Sequence, residues 1–316
     1  MTAPKRVLVF GATGFVGAAV VEALRARGTF VVPMTAPRIP PTTAQHAVDV
    51  LEELSDDIEE LASQLQGADC VVNAAGIAEA ASSDEGSLTA ANAIVPGYLA
   101  MATDAADVSR FVHVSSAAVQ GRADVLDSSA LVFPFSPYSR SKALGERLVR
   151  KAHAGAVAYR PPGVHGPNRR ATQMATRIAR SPISSVASPG SAPSPQALVT
   201  NVADAIAFLA TTNALPPAIV AHPSEGLTTS SLLALLGGRQ PLEVPRALAK
   251  AVVAMLTACG TVMPQAAANA RRVEMLWFGQ QQAPSWLTEA GWSPPAGQDA
   301  WRELGELLAS KTSAAP

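Results

Sequence analysis

Tyr138 and Lys142 are the residues of this sequence whose types and spacing most directly suggest catalysis. They lie four positions apart in a segment, Ser136–Ala152, that is predicted to be a helix, so both side chains share one helix face. A phenol has an unperturbed pKa of about 10 and is a poor acid–base catalyst near neutral pH unless its anion is stabilised. A nearby ammonium would lower that pKa. The pair therefore predicts a tyrosine acid–base catalyst.

Two serines, Ser115 and Ser116, stand at the end of a predicted strand, Arg110–Ser115. In an open parallel sheet, ligands bind beyond the carboxyl ends of the strands. The serine hydroxyls are therefore placed to reach the same ligand as Tyr138, whose helix follows later in the chain. A tyrosine and a lysine at this spacing are common by chance, and the conjunction with the serines strengthens the prediction.

A glycine-rich turn near the start of the chain predicts a second part of the site. The apolar run Val7–Phe10 is typical of a buried parallel strand, and it leads into Gly11, Gly14 and Gly17. Gly11 permits a tight turn, Gly14 lets the backbone approach a pyrophosphate, and Gly17 allows a helix to pack closely. The N-terminus of that helix, predicted over Ala18–Arg27, favours an anion. The pattern predicts a dinucleotide cofactor; the alternative is a glycine-rich turn without a ligand.

The second predicted strand, Phe30–Met34, bears on which dinucleotide is bound. An acidic residue at its end usually hydrogen-bonds the adenosine ribose, whereas an arginine accommodates a 2′-phosphate. No acid is present and Arg38 follows, so the sequence favours NADP, with NAD as the alternative. Arg38 as a solvated loop residue is the competing interpretation. Asp49 and Val50 end a third predicted strand, His46–Val50, and are placed to meet the adenine.

Strand and helix patterns alternate through the first half of the chain. The remaining strands are predicted at Asp69–Asn73, Arg110–Ser115 and Ala156–Arg160, and the remaining helices at Leu51–Leu65, Ala90–Ala106 and Ser136–Ala152. This alternation predicts an α/β fold, a doubly wound parallel sheet of the Rossmann type. After Pro167 the pattern loosens. Ser181–Pro195 predicts a loop or lid, followed by a helix at Asn201–Thr211, a strand at Ala218–Ala221 and mostly helix beyond.

Bulk properties exclude several classes of function. The net charge of −1 and the isoelectric point of ≈ 6.5 provide no basic field for nucleic acid or an anionic membrane. Cys70 and Cys259 lie in apolar settings and favour a reducing compartment over a disulfide framework. The longest apolar run, Ala247–Met263, is interrupted by Lys250 and is shorter than the ~20 residues that span a bilayer. No secretion signal is evident, and we expect a cytoplasmic protein without a transmembrane segment.

Short motifs across the first two thirds of the chain belong together. They are G-A-T-G-F-V-G at 11–17, N-A-A-G at 73–76, Asn92, V-S-S-A-A-V-Q-G at 114–121, P-Y-S-R-S-K at 137–142, R-P-P-G-V-H-G-P at 160–167 and L-V-T-N-V-A-D-A at 198–205. With these motifs the chain resembles the extended branch of the short-chain dehydrogenase/reductase superfamily, of the NAD-dependent epimerase/dehydratase type. The C-terminal third resembles the family only weakly.

The resemblance implies a role for each residue of the site. By it, Tyr138 is the acid–base residue, and Lys142 lowers the tyrosine pKa while holding the nicotinamide ribose. Ser116, from its spacing to Gly121, hydrogen-bonds the reacting oxygen, with Ser115 as the alternative if the turn is offset by one residue. No metal site is expected. The implied cofactor-binding set is Gly11, Thr13, Gly14, Phe15, Val16, Gly17, Arg38, Asp49, Val50, Ala74, Ala75, Gly76, Asn92, Tyr138, Lys142, Pro161 and Pro162.

Three positions depart from the family pattern, and each bears on the substrate. Gln120 stands where relatives often carry a tyrosine, and Gly163 stands where many nucleotide-sugar members carry an asparagine. The stretch Pro195-Gln196-Ala197 lacks an arginine that often grips a diphosphate. Three arginines are candidates to replace it, or are solvated helix charges: Arg169, Arg170 and Arg177.

Together these features predict an NAD(P)-dependent oxidoreductase or epimerase acting on a carbonyl/alcohol pair, with a nucleotide-activated 4-keto sugar as the favoured small-molecule substrate. The turn Ser116-Ala117-Ala118 lacks the acidic pair expected of a dehydratase. One alternative is an alcohol/ketone oxidoreductase that resembles 3β-hydroxysteroid dehydrogenases or dihydroflavonol reductases. A non-catalytic dinucleotide sensor is the other, and the complete serine, tyrosine and lysine set argues against it.

The same resemblance predicts how the chain is divided. We expect residues 1–166, with 196–222 returning to them, to form a dinucleotide-binding Rossmann domain. Residues 167–195 and 223–316 would then form a substrate-binding lid and a mostly helical C-terminal cap. A homodimer is compatible with this interpretation, and no nucleic-acid partner is expected.

Overall fold

The computed structural model describes residues 5–78, 84–259 and 264–313. Its strands are β1 (Arg6–Phe10), β2 (Phe30–Met34), β3 (Cys70–Asn73), β4 (Phe111–Val114), β5 (Val125–Leu126), β6 (Ala156–Arg160), β7 (Gly163–His165), β8 (Ser185–Ala187), β9 (Gln196–Leu198), β10 (Ile219–Ala221), β11 (Leu242–Val244) and β12 (Gln281–Gln282). Its helices are α1 (Phe15–Ala26), α2 (Ala47–Ser55), α3 (Ile58–Leu65), α4 (Glu85–Thr89), α5 (Val95–Ala105), α6 (Pro137–Ala152), α7 (Arg170–Arg180), α8 (Val199–Thr211), α9 (Thr229–Gly237), α10 (Arg246–Cys259), α11 (Pro264–Phe278), α12 (Trp286–Glu289) and α13 (Gln298–Ser313). Short 3₁₀ turns lie at Ala44–His46 and Ala117–Gln120, and a π-helical turn lies at Ala90–Ile94.

Six parallel strands form the central sheet, in the order β10-β6-β4-β3-β1-β2. Val7 of β1 is in register with Val31 of β2 on one side and with Cys70 of β3 on the other. The winding therefore reverses between β1 and β3, as expected for a doubly wound α/β sheet. The ligand crevice of such a sheet lies beyond the carboxyl ends of the two strands at this reversal.

Helices cover both faces of the sheet, which explains the continuous apolar runs of its strands. Val7 and Val9 face a cluster that includes Leu24 of α1 and Ile206 of α8. The intervening side chains of β1 face a second cluster, which α3, α5 and α6 complete with residues such as Leu99. Strands β3, β4 and β6 are consequently buried along their whole length.

The predicted strand at His46–Val50 is wrong. The chain instead forms a 3₁₀ turn and then α2, because Ala47 and Leu51, four residues apart, bury one helical face against the cluster that contains Ile94. Asp49 is exposed on α2 and Val50 is half-buried in that cluster, so neither residue ends a strand. β2 is therefore the edge of the sheet, a position that tolerates its Pro33.

The C-terminal region packs around its own apolar cluster. Leu233 and Leu236 of α9, Ala179 of α7 and Trp301 of α13 are buried together. The segment predicted as a loop, Ser181–Pro195, contains β8, which pairs in parallel with β11. Within the described ranges, no helix is both long and apolar enough to cross a membrane. Residues 260–263, at the end of the apolar run noted above, lie outside the described residues.

One carboxylate joins the C-terminal region to the sheet. Glu225, which follows β10, accepts hydrogen bonds from the Leu198 amide nitrogen at 3.2 Å and from Asn201 Nδ2 at 2.9 Å. Its other oxygen accepts a bond from Trp301 Nε1 at 3.0 Å. His222 Nε2 lies 3.3 Å from the same carboxylate. The side chain of Glu225 therefore ties together β9, α8, the end of β10 and α13.

Candidate active site

The glycine turn between β1 and α1 forms one wall of the crevice. Gly11 has a φ of +77°, and a Cβ there would lie 2.5 Å from the Ala75 nitrogen, so only glycine fits. A Cβ on Gly17 would strike the Gly11 carbonyl oxygen, so this glycine lets α1 start close against the turn. The predicted helix start is three residues late, since α1 already begins at Phe15.

The space beside Gly14 fits a dinucleotide pyrophosphate. Gly14 is the N-cap of α1, no side chain caps the helix, and no acidic residue lies in its first turn. Among the described residues, a Cβ on Gly14 would approach only the Gly11 carbonyl oxygen, at 3.2 Å. An open turn under a helix N-terminus with free N–H groups is a favourable place for an anion.

The chain after β3 forms the facing wall. Ala74, Ala75 and Gly76 line the cleft. Gly76 has a φ of +150°, and a Cβ there would lie 2.6 Å from Asn92 Oδ1 and 3.3 Å from Lys142 Nζ. The absence of a side chain at this position leaves Lys142 accessible from the crevice.

Asn92 supports this wall from behind. It is fully buried in the π-helical turn, where its Oδ1 accepts from the Ile77 nitrogen and its Nδ2 donates to the Ile77 oxygen, each at 3.0 Å. Nδ2 also lies 3.1 Å from Ser141 Oγ on α6. Asn92 therefore fixes the loop after Gly76 relative to the helix that carries Tyr138 and Lys142.

That helix, α6, begins with a capping box. Ser136 Oγ accepts a bond from the Ser139 nitrogen at 3.2 Å, and Ser139 Oγ accepts one from the Ser136 nitrogen at 2.9 Å. Pro137 occupies the first helical position, where its missing N–H costs nothing. This start places Tyr138 in the first turn and Lys142 one turn later, and both line the cleft.

Lys142 is buried, and its Nζ donates to the Val114 carbonyl oxygen at 3.0 Å. Burial lowers the pKa of Lys142 to about 8, while the negative charge of Glu146, one turn further along α6, opposes the shift. The ammonium therefore persists at neutral pH and titrates just above it.

The Ser116 hydroxyl lies close enough to Tyr138 to influence its ionisation. Burial raises the pKa of Tyr138, and the Ser116 hydroxyl and the positive charge of Arg169 oppose that rise only in part. The sequence predicts a pKa lowered by Lys142; the structure differs because the phenol is desolvated and the ammonium is bonded to Val114. Before any cofactor binds, the tyrosine is thus a protonated phenol, able to donate a proton.

The two serines have different partners. Ser115 Oγ donates to Glu146 Oε1 at 2.5 Å. Glu146 also receives two bonds from Arg160, from Nη2 at 2.7 Å and from Nε at 2.9 Å, and this ion pair is almost completely buried. The Ser115 hydroxyl is therefore committed to a buried network, which favours Ser116 as the partner of Tyr138.

The sequence motifs do not single out Glu146 or Arg160 as residues of the site. Their signal was present: a glutamate four residues after Lys142 on the same helix face, and an arginine inside an apolar strand, each of which needs a charged partner when buried. The ion pair lies behind α6 and holds this helix against β6.

The cleft has a volume of about 270 Å³. Apolar side chains line much of it, including Leu126, Phe135 and Met275. Two cations also reach it: Arg169, whose guanidinium stacks over the Phe15 ring at 5.1 Å, and Arg272 of α11, whose pKa burial lowers. No motif or period in the sequence marks the residues of α11 that line the cleft.

The predicted site residues fall into two groups. Those that line the cleft are Val16, Ala74, Ala75, Gly76, Ser116, Tyr138, Lys142, Pro161 and Pro162, together with Ser115. Arg38 is exposed beyond the end of β2, Thr13 is exposed in the glycine turn, and Asp49 lies on α2. The expected contact of Asp49 and Val50 with the adenine depends on a strand that ends at these residues. Because that strand does not form, the fold does not support this contact.

The positions that depart from the family pattern differ in whether they line the cleft. Gln120 is buried and turned away, with its Nε2 donating to Asp127 Oδ1 at 2.6 Å, so it braces a loop instead of forming a wall of the cleft. Gly163 and Gln196 both line the cleft. Of the three arginines considered for a diphosphate, Arg169 reaches the cleft, while Arg170 and Arg177 are exposed on α7.

Comparison with known proteins agrees with this geometry. The sequence profile of the NAD dependent epimerase/dehydratase family matches residues 7–220. No curated protein matches the chain. A solved structure of UDP-glucuronic acid 4-epimerase from Bacillus cereus in complex with NAD superposes with a TM-score of 0.64 at 19% identity, covering 97% of this chain and 99% of that one.

Two further solved structures share the fold. dTDP-4-dehydrorhamnose reductase from Bacillus anthracis str. Ames, in complex with NADP, has a TM-score of 0.64 at 17% identity and covers 98% of this chain and 100% of that chain. MoeE5 in complex with UDP-glucuronic acid and NAD has a TM-score of 0.63 at 20% identity, with the same coverage of 98% and 100%. At these identities the likeness shows the fold alone.

Proposed function

The chain belongs to the NAD dependent epimerase/dehydratase family, and from that membership we propose that it reduces or epimerises a nucleotide-activated keto sugar through Tyr138. The observation that carries the proposal is the meeting of Ser116, Tyr138 and Lys142 in one cleft beside an open glycine turn. The serine, the phenol and the ammonium supply the hydrogen bonds and the proton that a carbonyl/alcohol interconversion requires.

A dinucleotide fits across the crevice between β1 and β3. The turn of Gly11, Gly14 and Gly17 would hold its pyrophosphate, and Ala74–Gly76, Lys142 and the Pro161-Pro162 pair would surround its nicotinamide end. When bound, a nicotinamide supplies or accepts the hydride of the reaction. Its positive charge in the oxidised form would also lower the pKa of Tyr138, which burial otherwise raises.

The protein groups perform the proton chemistry. Ser116, which lines the cleft beside Tyr138, holds the reacting oxygen of the substrate, and the phenol of Tyr138 gives that oxygen its proton when a carbonyl is reduced. In the reverse direction the phenolate takes the proton back. Lys142, fixed by the Val114 carbonyl, keeps a positive charge near the phenol while donating to the ribose of the cofactor.

For the cofactor we propose NADP. The end of β2 carries no carboxylate to bind an adenosine ribose, and Arg38 lies four residues beyond it with an exposed side chain. A guanidinium suits a 2′-phosphate because it forms charge-assisted hydrogen bonds in a fork. Both NAD and NADP occur in the solved structures that share this fold.

For the substrate we propose that the C-terminal region supplies recognition. We infer that residues 1–166 and 196–222 bind the dinucleotide, since β10 pairs with β6 and α8 packs on α1. Residues 167–195 and 223–316 would bind the substrate, with Arg169 and Arg272 as cations for its phosphates. The apolar walls at Phe135 and Met275 favour the second candidate, a steroid-like or flavonoid-like alcohol.

The experiment is a substrate comparison. The protein is incubated with NADP or NAD and with UDP-glucuronic acid, UDP-glucose, a dTDP-4-keto sugar or a steroid alcohol. Nicotinamide absorbance reports net oxidation or reduction, and NMR of the sugar reports epimerisation. Turnover of a nucleotide sugar supports the proposal, whereas turnover of only the steroid alcohol establishes the second candidate.

A further inference from the structure

Gly163 and Gln196 face each other across the pair β7–β9. A Cβ on Gly163 would collide with Gln196 Oε1 and would lie 2.9 Å from the amide carbon of the same side chain. The carboxamide of Gln196 therefore occupies the volume that any side chain at position 163 would need. Both residues line the cleft that contains Tyr138.

His165, two residues after Gly163, fixes the direction of that carboxamide. Its Nε2 lies 2.9 Å from Gln196 Oε1, and the imidazole is 6% exposed. Burial lowers the pKa of His165, and the charge of Arg169 lowers it further, so the ring is neutral at pH 7. A neutral imidazole with its proton on Nε2 donates to Oε1 and thereby directs Nε2 of Gln196 away from itself.

The amide nitrogen of Gln196 is the group left for a ligand. Within the part of the chain that the structure describes, Oε1 is bonded to His165 and no acceptor is bonded to Nε2. Gln196 is half-exposed and lines the cleft. The side chains around it include Pro162 and Pro195, which offer no competing donor.

We propose that Gln196 is a specificity-determining residue that donates a hydrogen bond from Nε2 to an oxygen of the substrate's sugar, from the volume left free by Gly163. This inference rests on the proposed function and deepens it. This amide is supplied by Gln196 on β9, whereas many relatives carry an asparagine at the position of Gly163, after β6. His165 holds the Gln196 amide in place. A donor fixed in this way discriminates against substrates that lack the oxygen, because its N–H would then be left unpaired.

The test uses Gln196→Leu, which keeps the size of the side chain and removes its polar end, beside Gln173→Leu on the exposed surface of α7 as a matched control. UDP-glucuronic acid is titrated calorimetrically into each protein saturated with NADP or NAD, and its KM and kcat are measured. We expect Gln196→Leu to weaken binding about tenfold, as loss of one hydrogen bond does. KM should carry the loss and kcat should change less than about threefold, with cofactor affinity and Tm retained.

A second pair of variants tests whether an amide at position 163 can replace the amide of Gln196. Gly163→Asn alone should bind UDP-glucuronic acid poorly, because its Cβ collides with Gln196. Combined with Gln196→Ala, the same asparagine has room, and the double variant should recover most of the lost affinity. Steric relief alone would also restore binding in Gly163→Leu combined with Gln196→Ala, so recovery confined to the asparagine variant shows that the amide itself is required.

Two results distinguish a failure of the role proposed for Gln196 from a failure of the proposed function. If the unaltered protein binds UDP-glucuronic acid and Gln196→Leu binds it equally well, the inference is overturned and the proposed function stands. If the unaltered protein binds and turns over no nucleotide sugar, the proposed function is overturned and the inference falls with it.

Discussion

The two sides of the cleft are built in different ways. On the sheet side, polar groups have buried partners: Lys142 is bonded to the Val114 carbonyl, and Ser115 joins the Glu146–Arg160 ion pair behind α6. On the cap side, Arg169 reaches in from the N-cap of α7 and Arg272 from α11. We therefore propose that the sheet side fixes the chemistry and that the cap side sets recognition.

Blocking the glycine turn should have the largest effect. Gly14→Val places a branched side chain in the open space where a pyrophosphate would lie, and the φ of −74° at this position accepts valine. We expect binding of NADPH and NADH, measured by calorimetry, to be abolished with little change in Tm. Gly297→Val, at a position with no neighbour within 4 Å, is the control. Undiminished affinity in the first variant would place the cofactor elsewhere.

Removing one hydroxyl tests the sheet side directly. Tyr138→Phe should lower turnover by ~10²–10⁴-fold, the usual contribution of a positioned acid or base, and leave cofactor affinity and Tm intact. Arg170→Ala, on the exposed surface of α7, should keep normal turnover. Near-normal turnover of the tyrosine variant would end the catalytic assignment. If a substitution on the cap side lowered kcat as much as Tyr138→Phe does, the proposal that the sheet side alone fixes the chemistry would be wrong.

The choice of cofactor should respond more modestly. Arg38→Ala removes one charge-assisted interaction worth roughly 1.5–3 kcal/mol, so NADPH should bind about 10- to 100-fold more weakly while NADH is nearly unaffected. Calorimetric titration of both cofactors into both proteins measures the difference. Equal losses for the two cofactors, or a preference of the unaltered protein for NADH, would refute the role of Arg38.

The smallest expected effect is a shift of the pH profile. Lys142 has a pKa of about 8, so activity that needs its ammonium is present below that pH and declines as pH rises through it. Glu146→Gln removes the negative charge that raises this pKa and keeps hydrogen-bonding groups for Ser115 and Arg160. The alkaline limb of kcat against pH should therefore move to lower pH. An unmoved limb in a folded variant would show that Lys142 does not set it.

The sequence predicts the sheet side of the cleft better than the cap side. Gly11 and Pro137 have backbone requirements that are evident from their residue types, and the elements around them are found where expected. The predicted fold class is confirmed, because apolar runs and glycines in the sequence mark the strands and turns of the sheet. The strand at His46–Val50 is wrong because a short apolar stretch suits either structure, and packing against α5 selected a helix.

The cap side could not be predicted in the same way. Arg272 and Met275 line the cleft from a helix far along the chain, and no spacing links them to Tyr138. The role of Gly163 also depends on a distant residue, because the space above it is filled by Gln196 of β9. Sequence motifs report local backbone needs, whereas these contacts depend on how separate segments meet.

Glu225 has a consequence for how the molecule unfolds. Its carboxylate is shared among β9, α8 and Trp301 of α13, so the C-terminal helix cannot detach without taking the Trp301 donor away from this buried carboxylate. Loosening of the cap and loss of the sheet are therefore energetically coupled. We therefore expect the region proposed to recognise the substrate and the region proposed to perform the chemistry to melt together.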